Sequence, residues 1–183
     1  MRTPRPAVRT RRGGPALLAV VLVVLAAGCG SGPAPRVWAA AVCQALSPWR
    51  VEIGTLTSRT QQQMTAETTP AQARENLVRL FAGAQAASEA ARHGVERAGV
   101  PDVAGGEAVA SGFLASLTAV RDAYGRAGER IAALNIASAN AFYTEVEKVV
   151  QTLDTEYRRS ALDTSKLDSP ELRRAFDEVP ECR

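Results

Sequence analysis

The sequence holds a single histidine, His93, and only two lysines, and aromatic side chains make up 5% of its 183 residues. Each scarcity removes a kind of chemistry. One imidazole cannot supply the clustered ligands of a zinc or copper centre. The Glu-x-x-His spacing of helical di-iron sites is also missing, because Glu89 precedes His93 by four residues. No stretch alternates apolar and polar residues as a half-buried strand does, so no strand is expected to lead into a glycine-rich phosphate loop. No apolar run reaches the ~20 residues that a membrane-spanning helix needs. The apolar segment, residues 16–27, is only twelve long.

What is present begins with arginine. Arg2, Arg5, Arg9, Arg11 and Arg12 form a basic head without an acidic residue, the apolar segment follows, and Ala26-Ala27-Gly28 lead into Cys29. This order resembles a bacterial lipoprotein signal, with a short apolar segment that is processed rather than folded. The resemblance implies a signal peptide over residues 1–28. It also implies a palmitate-type diacylglyceryl lipid on the Cys29 sulfur, and an address on the extracytoplasmic face of the cell membrane. The alternative is a plain signal peptide beside a coincidental cysteine. Arg11-Arg12 admits twin-arginine export, but Gly13-Gly14-Pro15 lacks the apolar residues of such signals, which favours the general secretory route.

Removal of residues 1–28 changes the charge. The whole chain carries 22 basic and 19 acidic side chains. Five of the basic ones lie in the signal, so the remainder has 17 against 19, a net −2. A nucleic-acid partner would need a clustered basic face, and none is expected. Electrostatic attraction to anionic head groups loses its basis as well.

With Cys29 assigned to lipid, Cys43 and Cys182 remain of the three cysteines. An exported compartment is oxidising enough to keep two thiols joined. A Cys43–Cys182 disulfide is therefore expected, against the alternative of two free thiols. Bridged Cα atoms lie within about 7 Å, so the last residues must return to the beginning of the first helix.

Residues 30–35, Gly-Ser-Gly-Pro-Ala-Pro, read as the end of a lipidated linker over 29–35, and residues 36–183 as one domain. Its apolar periodicity is helical throughout. Trp38, Val42, Leu46, Trp49, Ile53 and Leu56 form a first stripe, which Pro48 either kinks or, with Ser47 as a cap, restarts. Thr69, Pro70 and Gln72 read as a capping box that opens a second helix. Its stripe is Leu77, Leu80, Phe81, Ala84, Ala87, Ala91, Val95 and Ala98, and Gly99 stops it. A third helix begins near Gly106, with Val109, Phe113, Leu117, Val120, Tyr124, Ala127, Ile131 and Leu134 on one face. Gly112, Gly125 and Gly128 within it suit close approach of a neighbouring helix. A turn near residues 135–138 separates a fourth stripe of Phe142, Val146, Val149, Leu153 and Tyr157. The alternative is one helix of more than fifty residues. Ser169-Pro170-Glu171 opens a short final helix that Pro180 ends. The expectation is an all-α, up-down-up-down four-helix bundle with a short C-terminal helix, stapled by one disulfide.

Several stretches together carry a resemblance: the Cys29 region, the Trp38 to Leu46 stretch around Cys43, Gly99-Val-Pro101 with Gly105-Gly106, and Ser169-Pro-Glu-Leu172 through Pro180-Glu-Cys182. They resemble small helical lipoproteins and secreted proteins of actinobacteria, and the heavy use of Ala and Arg suits such a genome. That resemblance brings no activity with it.

The residues that could carry chemistry are few. Glu89 and His93 can meet on one helical face, but no nucleophile is attached to them by motif, and a surface pair is the plainer reading. Trp38 and Trp49 share a face and are the weak pocket candidates, with core packing as the plainer reading. Arg158-Arg159 and Arg173-Arg174 read as solvated helix faces. No catalytic residue and no cofactor is expected. The expected role is a non-enzymatic helical module that binds an envelope protein or a small ligand. The alternative is an extracytoplasmic sensor or accessory subunit of a membrane complex.

Overall fold

The structure is a computed structural model that describes residues 32–160 and 164–183. The expected signal peptide and Cys29 lie outside the described residues. Five helices follow one another: α1 (Pro35–Gln63), α2 (Pro70–Ala98), α3 (Gly106–Ala132), α4 (Ala139–Ser160) and the short α5 (Pro170–Glu178). Single 3-10 turns lie at Thr164–Lys166 and Pro180–Cys182. The four long helices run antiparallel, each packed on the next, and α5 returns to α1.

Local signals account for the boundaries. The Thr69 hydroxyl accepts the Gln72 N–H at 3.3 Å, and the Gln72 side chain accepts the Thr69 N–H at 3.0 Å, completing the capping box. Gly99 ends α2 with φ of 73°, a conformation open to glycine because it lacks a Cβ. Ser169 caps α5 by accepting the Leu172 N–H at 3.3 Å. Between α3 and α4, Asn135 Oδ1 accepts the Ala137 N–H at 2.8 Å, which turns the chain where the fifty-residue helix would have continued.

Of the two expectations for Pro48, the restart is not met. Pro48 does not divide α1: the helix runs unbroken from Pro35 to Gln63, and Ser47 lies inside it rather than at a cap. The ring is exposed and borders an open groove, so it meets solvent rather than a packed neighbour. The start of the domain also differs. Pro35 already belongs to α1, and Pro33 O accepts the Asp102 N–H at 2.9 Å. A Cβ on Gly32 would lie 2.0 Å from Val100 O. Residues 32–34 are thus seated on the α2–α3 connection instead of hanging as a spacer.

Cys43 and Cys182 form the disulfide, with Cα atoms 5.1 Å apart across 139 residues of sequence. Around it lies the larger of two apolar clusters. Trp38 is its centre, at 0% exposure, with Phe113 meeting it edge-on at 5.3 Å and Phe176 at 5.9 Å. The cluster draws on α1, α2, α3 and α5. The second cluster lies at the far end, where Leu77 and Phe81 of α2, Ala127 and Ile131 of α3, and Val149 of α4 pack together. Both clusters fall between Trp38 and Cys182, so the segment from Gly32 onward carries its own interior.

The division between the clusters shapes the molecule. The fourth side of the bundle is α5 in one half and α4 in the other. Among the described residues, α1 and α4 make no close backbone approach. Of the α4 stripe, only Phe142 and Val149 are buried.

Candidate functional site

The charged residues singled out by type are engaged with one another. The Glu89 carboxylate accepts Arg92 at 2.8 and 3.0 Å, Arg121 of α3 at 2.8 Å, and lies 2.9 Å from His93 Nε2. His93 Nδ1 lies 3.1 Å from Glu96. Hydrogen bonds from Arg92, then from Arg121, hold the Glu89 carboxyl at about 2, far below the usual carboxylate range. So weak a base is poorly suited to taking a proton. The Glu89–His93 pair therefore forms, as its spacing allows, but as part of a clasp between α2 and α3. The C-terminal arginines are partly paired as well: Arg158 meets Asp154 at 3.0 Å, and Arg173 donates to the Leu167 carbonyl. Among the described residues no group of three or more His, Cys, Asp or Glu is arranged to hold a metal ion.

The two tryptophans have separate fates. Trp38 is sealed in the core, and its indole N–H donates to Gly99 O at 2.8 Å, so it offers no surface to a ligand. Core packing, the plainer of its two readings, therefore holds for Trp38, because its two aromatic neighbours, Phe113 of α3 and Phe176 of α5, close over it. Trp49 does reach a cavity. Its ring is half-buried, and its N–H donates to the buried Ser88 hydroxyl at 3.0 Å.

Trp49 borders two depressions. One is an open groove of about 640 Å³ between α1 and α2, floored by Ala45, Ala87, Ala91 and Gly94. The helices come close here because Gly94 has no side chain: a Cβ in its place would lie 2.5 Å from that of Ala45. The other is a crevice of about 290 Å³ where the fourth side of the bundle passes from α4 to α5. Its walls include Leu46, Trp49 and Arg50 of α1, Phe113 and Val120 of α3, and Tyr157 of α4. The Ser116 hydroxyl, also in the lining, is committed to the Ser160 carbonyl. Arg50 is exposed and makes no hydrogen bond or ion pair with a described residue.

The neighbourhood stays apolar toward the far end. Burial, and secondarily Tyr157, push the Tyr124 hydroxyl up to about 12. Along α4, Tyr143, Val150 and Tyr157 recur at seven-residue intervals, and all three are exposed, Val150 at 44%. Tyr143 donates to Thr68 O of the α1–α2 connection at 3.2 Å, and Tyr157 borders the crevice with α1 residues. The stripe therefore spans the side where α1 and α4 fail to meet.

Ser88 and Arg50 were not singled out in the sequence. Ser88 had only a weak signal, since Ala84, Ala87 and Ala91 already supply the α2 stripe there, yet Ser88 is the fully buried residue and Ala87 is half-buried. Arg50 had none, since only the fold shows which arginine borders the crevice. Compared with protein-family models, with curated proteins and with solved structures, the chain matches none.

Proposed function

We propose that the chain is a non-enzymatic module of the cell envelope, tethered through a lipid on Cys29, that binds a ligand or protein on the open side of its bundle. The tether rests on the residue order around Cys29. No described helix is long and apolar enough to cross a membrane. Two residues, Gly30 and Ser31, separate Cys29 from Gly32, and the three chain steps between them reach at most about 11 Å. Since Gly32 packs against Val100, the disulfide end of the bundle would face the membrane. The binding role rests on one observation: the crevice left between α1 and α4 has an aromatic lining and adjoins an exposed apolar stripe.

Cell fractionation tests the tether. Cys29→Ala is expected to appear in the soluble fraction or as unprocessed precursor. A variant still processed and membrane-bound would end the lipoprotein reading.

The alternative role, an accessory subunit of a membrane complex, draws on the 143/150/157 stripe, since heptad spacing suits a partner helix. A photo-crosslinking residue at position 150 is expected to capture a discrete membrane protein in cells, while the same group at the exposed Glu107 does not.

A further inference from the structure

Resting on the binding-module reading, we propose that the crevice holds a single-chain amphiphile with an anionic head, its apolar body between α1 and α3 and its head on Arg50. The interior favours such a body. Trp49, Phe113, Leu46 and Val120 supply apolar walls. The polar groups nearest them are already satisfied, with the Trp49 N–H on Ser88 and the Ser116 hydroxyl on Ser160 O. A polar body would lose its own hydration among these walls, with only the hydroxyls of Thr164 and Tyr157, besides Arg50, left in the lining to partner it.

The rim favours an anion. Arg50 brings a guanidinium that is always charged and has five N–H donors, and no described acid occupies it. Its planar fork matches a carboxylate or phosphate edge. The Tyr157 hydroxyl lies on the same rim, likewise without a partner among the described residues. Size limits the body: about 290 Å³ stands at the small end of ligand sites, which suits one chain or aryl group rather than the paired chains of a phospholipid. The larger groove between α1 and α2 is shallow and alanine-floored, and of these walls it shares only Trp49.

The test uses residues 30–183 with the disulfide formed, and decanoate, decanol and decyltrimethylammonium as probes. The chain has two tryptophans, and with Trp38 sealed, a change in emission reports Trp49. Decanoate is expected to bind about five- to ten-fold more tightly than decanol, the scale of one charged hydrogen bond at a partly wet rim. Arg50→Glu is expected to reverse the order, so that decyltrimethylammonium binds better than decanoate. Arg97→Glu, on the open groove, should leave decanoate binding within two-fold of the unsubstituted protein. Both arginines are exposed, so unchanged circular dichroism and melting establish that the variants are folded.

Equal binding of decanoate and decanol, or indifference to Arg50→Glu, would overturn the anionic-head assignment while leaving a binding module. Loss on Arg97→Glu would move the ligand to the groove and overturn it too. Phosphatidylglycerol vesicles that match decanoate would replace the single-chain ligand by the membrane surface. If no probe alters Trp49 emission, the inference fails, and the broader reading still stands or falls on the Cys29 and crosslinking experiments.

Discussion

The indole N–H of Trp49 donates to the Ser88 hydroxyl at 3.0 Å, and Ser88 passes its own proton to the Ala84 carbonyl at 2.8 Å. A fully buried hydroxyl on α2 thus holds in place the one tryptophan that borders both depressions. Ser88→Ala keeps the helix but removes the acceptor. It is expected to lower stability by about 1–2 kcal/mol and to shift Trp49 emission to the red as its N–H turns to water. Urea unfolding and the emission spectrum measure the two effects. If both stay unchanged, the bond contributes nothing.

The disulfide ties α5 to α1, and α5 supplies Phe176 and Leu172 to the core. Replacing Cys43 and Cys182 together by serine is expected to cost about 2–5 kcal/mol, the usual range for a native bridge. The loss should be uneven. Hydrogen exchange is expected to accelerate in α5 well before the α2–α3 interface. Uniform acceleration would mean that α5 has no separate dependence on the bridge.

The capping box at the start of α2 is exposed, so its loss leaves the core intact. Thr69→Ala is expected to destabilise by about 1 kcal/mol, and Thr69→Ser to restore most of it. Denaturant midpoints for the three proteins settle the order.

Acid stability should depend on Glu89. Its carboxyl lies at about 2 in the folded chain, below the 4.5 of an unperturbed glutamate. A depressed folded pKa makes the contribution complete above the unfolded value and lost as pH falls from 4.5 toward 2. Glu89→Gln should therefore be less stable than the unsubstituted protein at neutral pH and converge with it in that acid window. Arg92, Arg121 and His93 face the same carboxylate. His93→Gln measured alongside separates the imidazole's share. Parallel stability curves down to pH 2 would show that Glu89 is not held as described.

Helix punctuation was legible in the sequence because it is local. Thr69 with Gln72, Gly99 and Ser169 act through bonds to residues within a few positions. The disulfide was expected from the cysteine count once Cys29 was set aside as the expected lipid site, the Glu89–His93 contact from spacing. Tertiary arrangement was not. A periodic stripe says that a face is covered, not by which element: the α1 stripe meets α5 where a plain bundle would have placed α4. Pro48 shows the same limit, since its local tendency to break a helix does not end α1, which continues on both sides of it. Trp38 and Trp49 look alike on a helical wheel. Only the return of α5 separates the sealed ring from the one at the crevice.

Closure between Cys43 and Cys182 has a consequence for cleavage. Every described connection between the long helices (residues 64–69, 99–105 and 133–138) falls inside the bridged stretch. A protease that cuts any one of them converts one chain into two that remain a single covalent molecule. Cys29 lies outside the ring on the same fragment as Cys43, so a lipid there, as proposed, would keep both pieces. Shedding the severed part would take a reductant as well as a protease.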